Sequence, residues 1–339
     1  MDKYKFVIFG DSWDVYQVAF RELIENPRMV YIPTFRPNGI LGSLQRLQFN
    51  PRVNHLVNIP GKSWWNALIL RHIKEQQLCF LILEHWLRHE SGLHLLPYLK
   101  KRYPQAKIIC FTQDLIETIK DQYTRHPIDV DYIKRYADLF VCYDYTDARK
   151  YHIAYHPTVF SSIHIGDCQK VEAVYDLFFL GRDKGRLPML IQICKEAQKR
   201  GLTCHFLLIE VPQVKRIKCE GIYYLDTPLT YQENLQNCTQ SRCIIEILQR
   251  EASSPTFRTW ETIMLNKKLL TNNSSIQQYT DIYDQRYISV FHTIDDIDWS
   301  FIANKSEVFP QNENPYQEVV RPKALVRFIE KQLNIQIDQ

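Results

Sequence analysis

The sequence predicts an α/β protein of two doubly wound parallel-sheet domains facing each other across a cleft. Short apolar runs alternate with amphipathic, helix-length segments, the trace that βαβ units leave in a sequence. That series occurs twice, and its periodicity lapses over residues 156–172, where Pro157, paired serines and Gly166 interrupt it. The length, 339 residues, exceeds a typical single core and suits two of about 150 residues each. The expected domains are therefore 1–157 and 172–320.

In the first half, strands are expected at 5–9, 80–83, 107–111 and 139–142. A helix is expected over 13–25 and another over 133–136. The second series starts with strand 177–180. The segment 187–199 follows, with Leu187, Leu190, Ile191 and Cys194 at helical spacing and Arg200-Gly201 as its stop. Strands at 205–209, 222–225, 243–248 and 268–271 come next, with helices at 231–238 and 259–265 between them. A polar stretch containing Pro310, Asn312, Asn314 and Pro315 precedes a last helix, 322–333. Two such domains would open a crevice at the carboxyl ends of their strands, where ligands bind in open α/β sheets.

Composition excludes several classes. Hydrophobic residues are 45% and charged residues 24% of the chain, which rules out global disorder. A formal charge of +4, from 42 basic and 38 acidic residues, is too mild to indicate a nucleic-acid binder, which usually shows a clustered basic face. It is compatible with an anionic ligand or with weak attraction to an acidic membrane surface. Nine scattered cysteines (79, 110, 142, 168, 194, 204, 219, 238, 243) form no C-x-x-C pair and read as reduced thiols of a cytoplasmic protein. No signal-peptide pattern opens the sequence, and the longest apolar stretch is far short of the ~20 residues that span a bilayer, so any membrane contact is expected to be peripheral.

Two constellations carry chemistry. Gly181-Arg182-Asp183-Lys184-Gly185-Arg186 directly follows strand 177–180 and opens a helix. Backbone donors, a positive helix end and three cations there suit a phosphate; a solvated surface turn is the plain alternative. The second is Ser253-Ser254-Pro255-Thr256-Phe257-Arg258-Thr259-Trp260-Glu261, between a strand and a helix. Its hydroxyls and Pro255 suit a helix start, Arg258 offers a bidentate fork, and Glu261 falls one turn on. Glu261 could accept from the two hydroxyls of a ribose or simply pair with Arg258.

Together with Asn266-Lys267-Lys268-Leu269-Leu270-Thr271-Asn272-Asn273, these stretches resemble the donor half of GT-B glycosyltransferases, which have two Rossmann-like domains. The likeness is greatest to bacterial lipopolysaccharide and capsular-polysaccharide transferases. It covers about residues 175–300 and is fainter in the first half, where Gly10-Asp11 and 137–155 carry it. The resemblance implies that Gly181, Arg182, Lys184 and Arg186 meet the diphosphate of a nucleotide-sugar donor, UDP-linked by default. It further implies that Thr256, Arg258 and Thr259 support that group, that Glu261 holds the ribose, and that helix 322–333 crosses back to the first domain. Where many retaining members have a second glutamate eight residues earlier, this chain has Ser253, so the stereochemical outcome stays open.

The acceptor, a bacterial surface glycan or its lipid-linked precursor, is expected in the first domain. An inverting transfer needs a base there. Asp11, Glu84, His85 and Asp114 each follow a predicted strand, and the carboxylates Asp11, Glu84 and Asp114 are the candidates. Caps and helix starts are their plain alternatives. His85 and His89 are four residues apart but lack a third ligand, and 295–298 is an acidic run better suited to capping a helix. The sequence requires no metal. Another nucleotide-using α/β enzyme, such as a dehydrogenase, is a rival that the lack of G-x-G-x-x-G after any strand argues against. A non-catalytic GT-B-like protein that binds glycans or another transferase remains the alternative.

Overall fold

In a computed structural model, residues 3–34, 38–57, 59–75, 77–163, 172–248, 253–306, 308–309 and 314–339 are described. Cys168, Gly166, Pro310 and Asn312 lie outside them. The chain forms two compact units, one of Met1–Val159 with Pro322–Gln339 and one of Phe160–Arg321. The strands are, in chain order, β1 (Lys3–Phe9), β2 (Val30–Ile32), β3 (Leu78–Leu83), β4 (Lys107–Thr112), β5 (Leu139–Cys142), β6 (Ala154–Tyr155), β7 (Tyr175–Arg182), β8 (Cys204–Ile209), β9 (Ile222–Leu225), β10 (Ser241–Glu246), β11 (Lys268–Thr271), β12 (Ile288–Val290) and β13 (Gln336–Ile337).

The first unit is a parallel sheet in the order β13-β1-β3-β4-β5-β6, with β2 also on β1. Its strands are apolar on both faces because helices cover both, as parallel sheets require. Val7, Phe9, Phe80, Ile82, Ile108 and Cys110 pack into one core with Trp86, Leu96 and Leu99. The last helix, Pro322–Leu333, buries Leu325, Val326 and Ile329, and β13 then pairs with Lys3 and Tyr4 of β1. From β1 the chain goes to β2 on one side and then to β3 on the other. The strand order thus reverses at the carboxyl ends of β1 and β3.

The second unit is a parallel sheet in the order β12-β11-β10-β7-β8-β9. Alternation along β7 sends Leu177 and Phe179 into one core and Phe178 into another, with Leu207 and Ile244. Here the chain builds outward from β7 to β9, then returns to β10 on β7's other side. The reversal lies between β7 and β10.

Several elements differ from expectation. The 13–25 helix is two pieces, Asp14–Ala19 and Arg21–Ile24, joined at Phe20, which leaves the helical region at φ −102° and ψ 10°. The short strands β2, β6, β12 and β13 have no counterpart in the apolar pattern. The acidic run 295–298 does cap: Asp298 accepts from Phe301 N at 3.0 Å to start the Trp299–Ala303 helix. No described helix is long and apolar enough to cross a membrane.

Candidate functional site

The second unit places both basic turns at the reversal of its strand order. After β7, Lys184 and Gly185 adopt left-handed backbone (φ 43° and 83°), turning the chain so that Arg186 N donates to Asp183 O at 2.7 Å. Asp183 Oδ1 then accepts from Leu187 N (3.0 Å), starting the Leu187–Lys199 helix. After β10, Thr256 caps the Phe257–Met264 helix by accepting from Arg258 N at 3.2 Å.

The two turns meet over one ring. The guanidinium carbons of Arg258 and Arg186 lie 5.2 and 5.9 Å from the Phe179 centroid. Arg258 also donates to the Leu180 carbonyl. A Cβ on Gly181 would stand 3.0 Å from Arg258 Nη2, so the glycine lets the arginine approach. Burial and the charge of Arg258 push the Arg186 pKa down to about 10, which still leaves it a cation at neutral pH. Its Nε is buried without a hydrogen-bond partner among the described residues. Two crowded like charges with an open donor are stabilised by a bound anion.

Arg182 and Lys184 are on the exposed side of the same turn, and Arg182 Nη2 pairs with Glu210 Oε1 at 3.0 Å. Thr256, Thr259 and Glu261 face elsewhere. Glu246, fully buried at the end of β10, accepts from Thr256 N (3.0 Å) and Oγ1 (2.6 Å), Thr259 Oγ1 (3.1 Å) and Thr271 Oγ1 (2.7 Å). These threonines therefore brace the turn from beneath. Sequence reasoning passed over Glu246, although a carboxylate ending an apolar run was its visible signal.

Glu261, expected to hold the ribose, has partners within the unit in this structure. Its carboxylate is buried and accepts from Tyr231 OH (2.8 Å) and Asn234 Nδ2 (2.9 Å), both on the Tyr231–Thr239 helix. Burial raises its pKa, while the Arg258 charge and these bonds oppose the rise. It joins two helices.

The first unit gathers its carboxylates at its own reversal. Gly10 directly follows β1; a Cβ there would fall 2.0 Å from the Tyr31 ring, so only glycine admits that ring. Tyr31 OH accepts from Asp11 N (2.9 Å) and donates to Asp11 O (2.8 Å), and Trp86 Nε1 donates to Gly10 O (2.8 Å). Held this way, Asp11 has one oxygen accepting from Trp13 N (3.1 Å) and the other 3.4 Å from His85 Nδ1. Glu84 accepts from Gln113 N (2.9 Å) and lies 3.3 Å from Arg88 Nη2, which also reaches Asp114 at 3.5 Å. Burial, then the charge of Asp114, pushes the Glu84 pKa up to about 7 against the pull of Arg88. Tyr16, Arg88 and Tyr31 are members of this cluster that the sequence pattern did not single out. Asp11 and Glu84 are buried, whereas Asp114 is 58% exposed.

No family model matches this chain, and no curated protein matches it. Solved structures do. A UDP-forming alpha,alpha-trehalose-phosphate synthase from Burkholderia xenovorans is similar at TM-score 0.57 and 9% identity, over 98% of this chain and 99% of that one. The enzyme of the same description from Burkholderia vietnamiensis gives 0.54 and 9%, over 98% and 100%. An alpha,alpha-trehalose 6-phosphate synthase from Burkholderia multivorans gives 0.51 and 10%, over 98% and 97%. At such identities the likeness is one of fold, and it spans both units: the chain has the GT-B fold of two Rossmann-like domains.

Proposed function

We propose that this protein is a glycosyltransferase that moves a sugar, a hexose by default, from a nucleotide-activated donor to a hydroxyl acceptor. The observation that carries the proposal is the pair Arg186 and Arg258, crowded over Phe179 at the strand-order reversal of the second unit. The diphosphate of the donor lies against these two guanidiniums. Lys184 closes from the exposed side of the turn, and Arg182 does so after exchanging Glu210 for a phosphate oxygen. UDP is the expected nucleotide, since the similar folds include synthases described as UDP-forming.

In the first unit, His85 with Asp11 behind it supplies the base that an inverting transfer uses. His85 takes the acceptor proton, and Asp11 is a positioning residue that fixes the ring. Glu84 and Asp114, tied to Arg88, set the charge around it. The acceptor is a bacterial surface glycan or its lipid-linked precursor, and the work is done at the cytoplasmic side of the membrane. The reading asks for no metal, since two arginines and a helix start supply the charge that a leaving diphosphate needs.

Donor hydrolysis across a set of sugar nucleotides tests the proposal without knowledge of the acceptor. Slow release of one nucleoside diphosphate, lost in Arg258→Ala, is expected. Absence of both binding and hydrolysis for UDP-, GDP- and CMP-linked sugars refutes it and leaves a glycan-binding or transferase-binding partner protein.

A further inference from the structure

The Gly39–Gln48 helix of the first unit is set inside out. Its buried residues are Gly42 and Gln48, while Ile40 (89%), Leu41, Leu44 and Leu47 are exposed. Ile40, Leu44 and Leu47 follow i, i+4, i+7 spacing and form one stripe. The next helix, Pro51–Leu56, adds Leu56 (87%), and Val57 follows it. Among the described residues, six exposed large apolar side chains fall within these eighteen positions, a denser run than the Val214 and Ile217 pair of the second unit.

This orientation is fixed by polar bonds rather than left loose. Gln48 Nε2 donates to Pro60 O (2.6 Å), Gln48 Oε1 accepts from Trp65 Nε1 (2.7 Å), and Gln48 O accepts from Asn54 Nδ2 (2.8 Å). Rolling the leucines inward would break all three. The helix is anchored through its polar end with its apolar stripe outward.

Charge identifies the occupant. From residue 26 to residue 74 the sequence has five arginines and two lysines and no aspartate or glutamate. Arg46 lies within the apolar helix and Arg52 follows it, both exposed. A second copy on this face would set like charges against each other with no acid to offset them. The stripe itself is made of protruding aliphatics, and the exposed Trp64 beyond it starts the Trp64–Ile69 helix, an amphipathic ring of the kind that sits at a lipid headgroup boundary. Protruding Leu and Ile beside arginines suit a fluid apolar phase bordered by anions.

We propose that the Gly39–Gln48 and Pro51–Leu56 helices dock on an anionic lipid surface, the leucine stripe entering the acyl boundary and Arg46 and Arg52 meeting the headgroup phosphates. This goes beyond sugar transfer and does not depend on it.

Co-sedimentation of the full chain with vesicles of phosphatidylglycerol and phosphatidylcholine, against pure phosphatidylcholine, tests the proposal without any nucleotide. Binding to the anionic vesicles, weakened by salt, is expected. Leu44→Glu with Leu47→Glu is expected to weaken it by at least about tenfold, as loss of inserted apolar surface does. Both positions are exposed, and circular dichroism and UDP titration check that the variant stays folded. Val214→Glu, at a 94% exposed site of the second unit, is expected to bind as the wild type does. Equal binding of the double variant, or equal binding to neutral vesicles, overturns the proposal. So does a concentration-dependent dimer, without vesicle binding, that the double variant dissolves. Failure of UDP binding alone would count against the sugar-transfer proposal and not against this one.

Discussion

At the scale of single residues, the two guanidiniums over Phe179 differ from their neighbour Arg182 in what water already gives them. Arg258 and Arg186 are partly buried, so a phosphate gains interactions that solvent does not match, while Arg182 is exposed and paired with Glu210. Arg258→Ala and Arg186→Ala are each expected to weaken UDP binding by about 1.5–3 kcal/mol, roughly the worth of a charged hydrogen bond. Arg182→Ala should cost about 0.5 kcal/mol or less, as for an exposed pair; titration calorimetry reads all three. A second prediction concerns pH. Burial lowers the pKa of His89 and of His156 to about 4. The unfolded chain takes up these protons first, near 6.5, so their contribution to stability is present above 6.5 and is lost as pH falls toward 4. Glu84 acts with the opposite sign. Its folded pKa of about 7 exceeds the unfolded one, so stability is lost as pH rises from about 4.5 through 7. Urea unfolding across pH should fall off on the acid side, less steeply in His156→Phe, and the His156 ring should not titrate above pH 5 by NMR.

At the scale of elements, the Tyr231–Thr239 helix begins with a reciprocal box in which Thr230 Oγ1 accepts from Glu233 N and Glu233 Oε2 accepts from Thr230 N. Thr230→Ala is expected to cost about 1 kcal/mol in chemical denaturation. Gly181→Ala should act differently, pressing on Arg258 and Phe179 and weakening UDP binding more than it lowers the melting temperature. The sequence made the long, buried elements readable because β3, β4 and β8 are nearly unbroken apolar runs. Strands β2, β6, β12 and β13 have two or three residues each and arise from main-chain pairing to a strand already present, which leaves no side-chain pattern. The basic turn 181–186 was readable because its cations are local to one strand end. The partners of Glu261 were not readable in that way. Its spacing from Arg258 is local, whereas Tyr231 and Asn234, which occupy its carboxylate, come from a helix thirty residues earlier that no spacing rule pairs with it.

At the scale of the whole molecule, each unit has its own core and its own reversal of strand order, so they should respond separately to damage. Removing 322–339 deletes Leu325, Val326 and Ile329 from the first unit and uncovers part of one edge of β1. Hydrogen exchange is expected to show lost protection throughout the first unit, while residues 160–321 keep theirs and still bind UDP.

The placement of β13 also has a consequence for biogenesis. Residues 160–321 are contiguous and can close their sheet as soon as they clear the ribosome. The first unit must wait: its opening 159 residues are translated long before the segment that covers the edge of β1. During that interval the Lys3–Tyr4 end of β1, which β2 does not reach, leaves its edge on offer to any other nascent chain, a place for a chaperone to act.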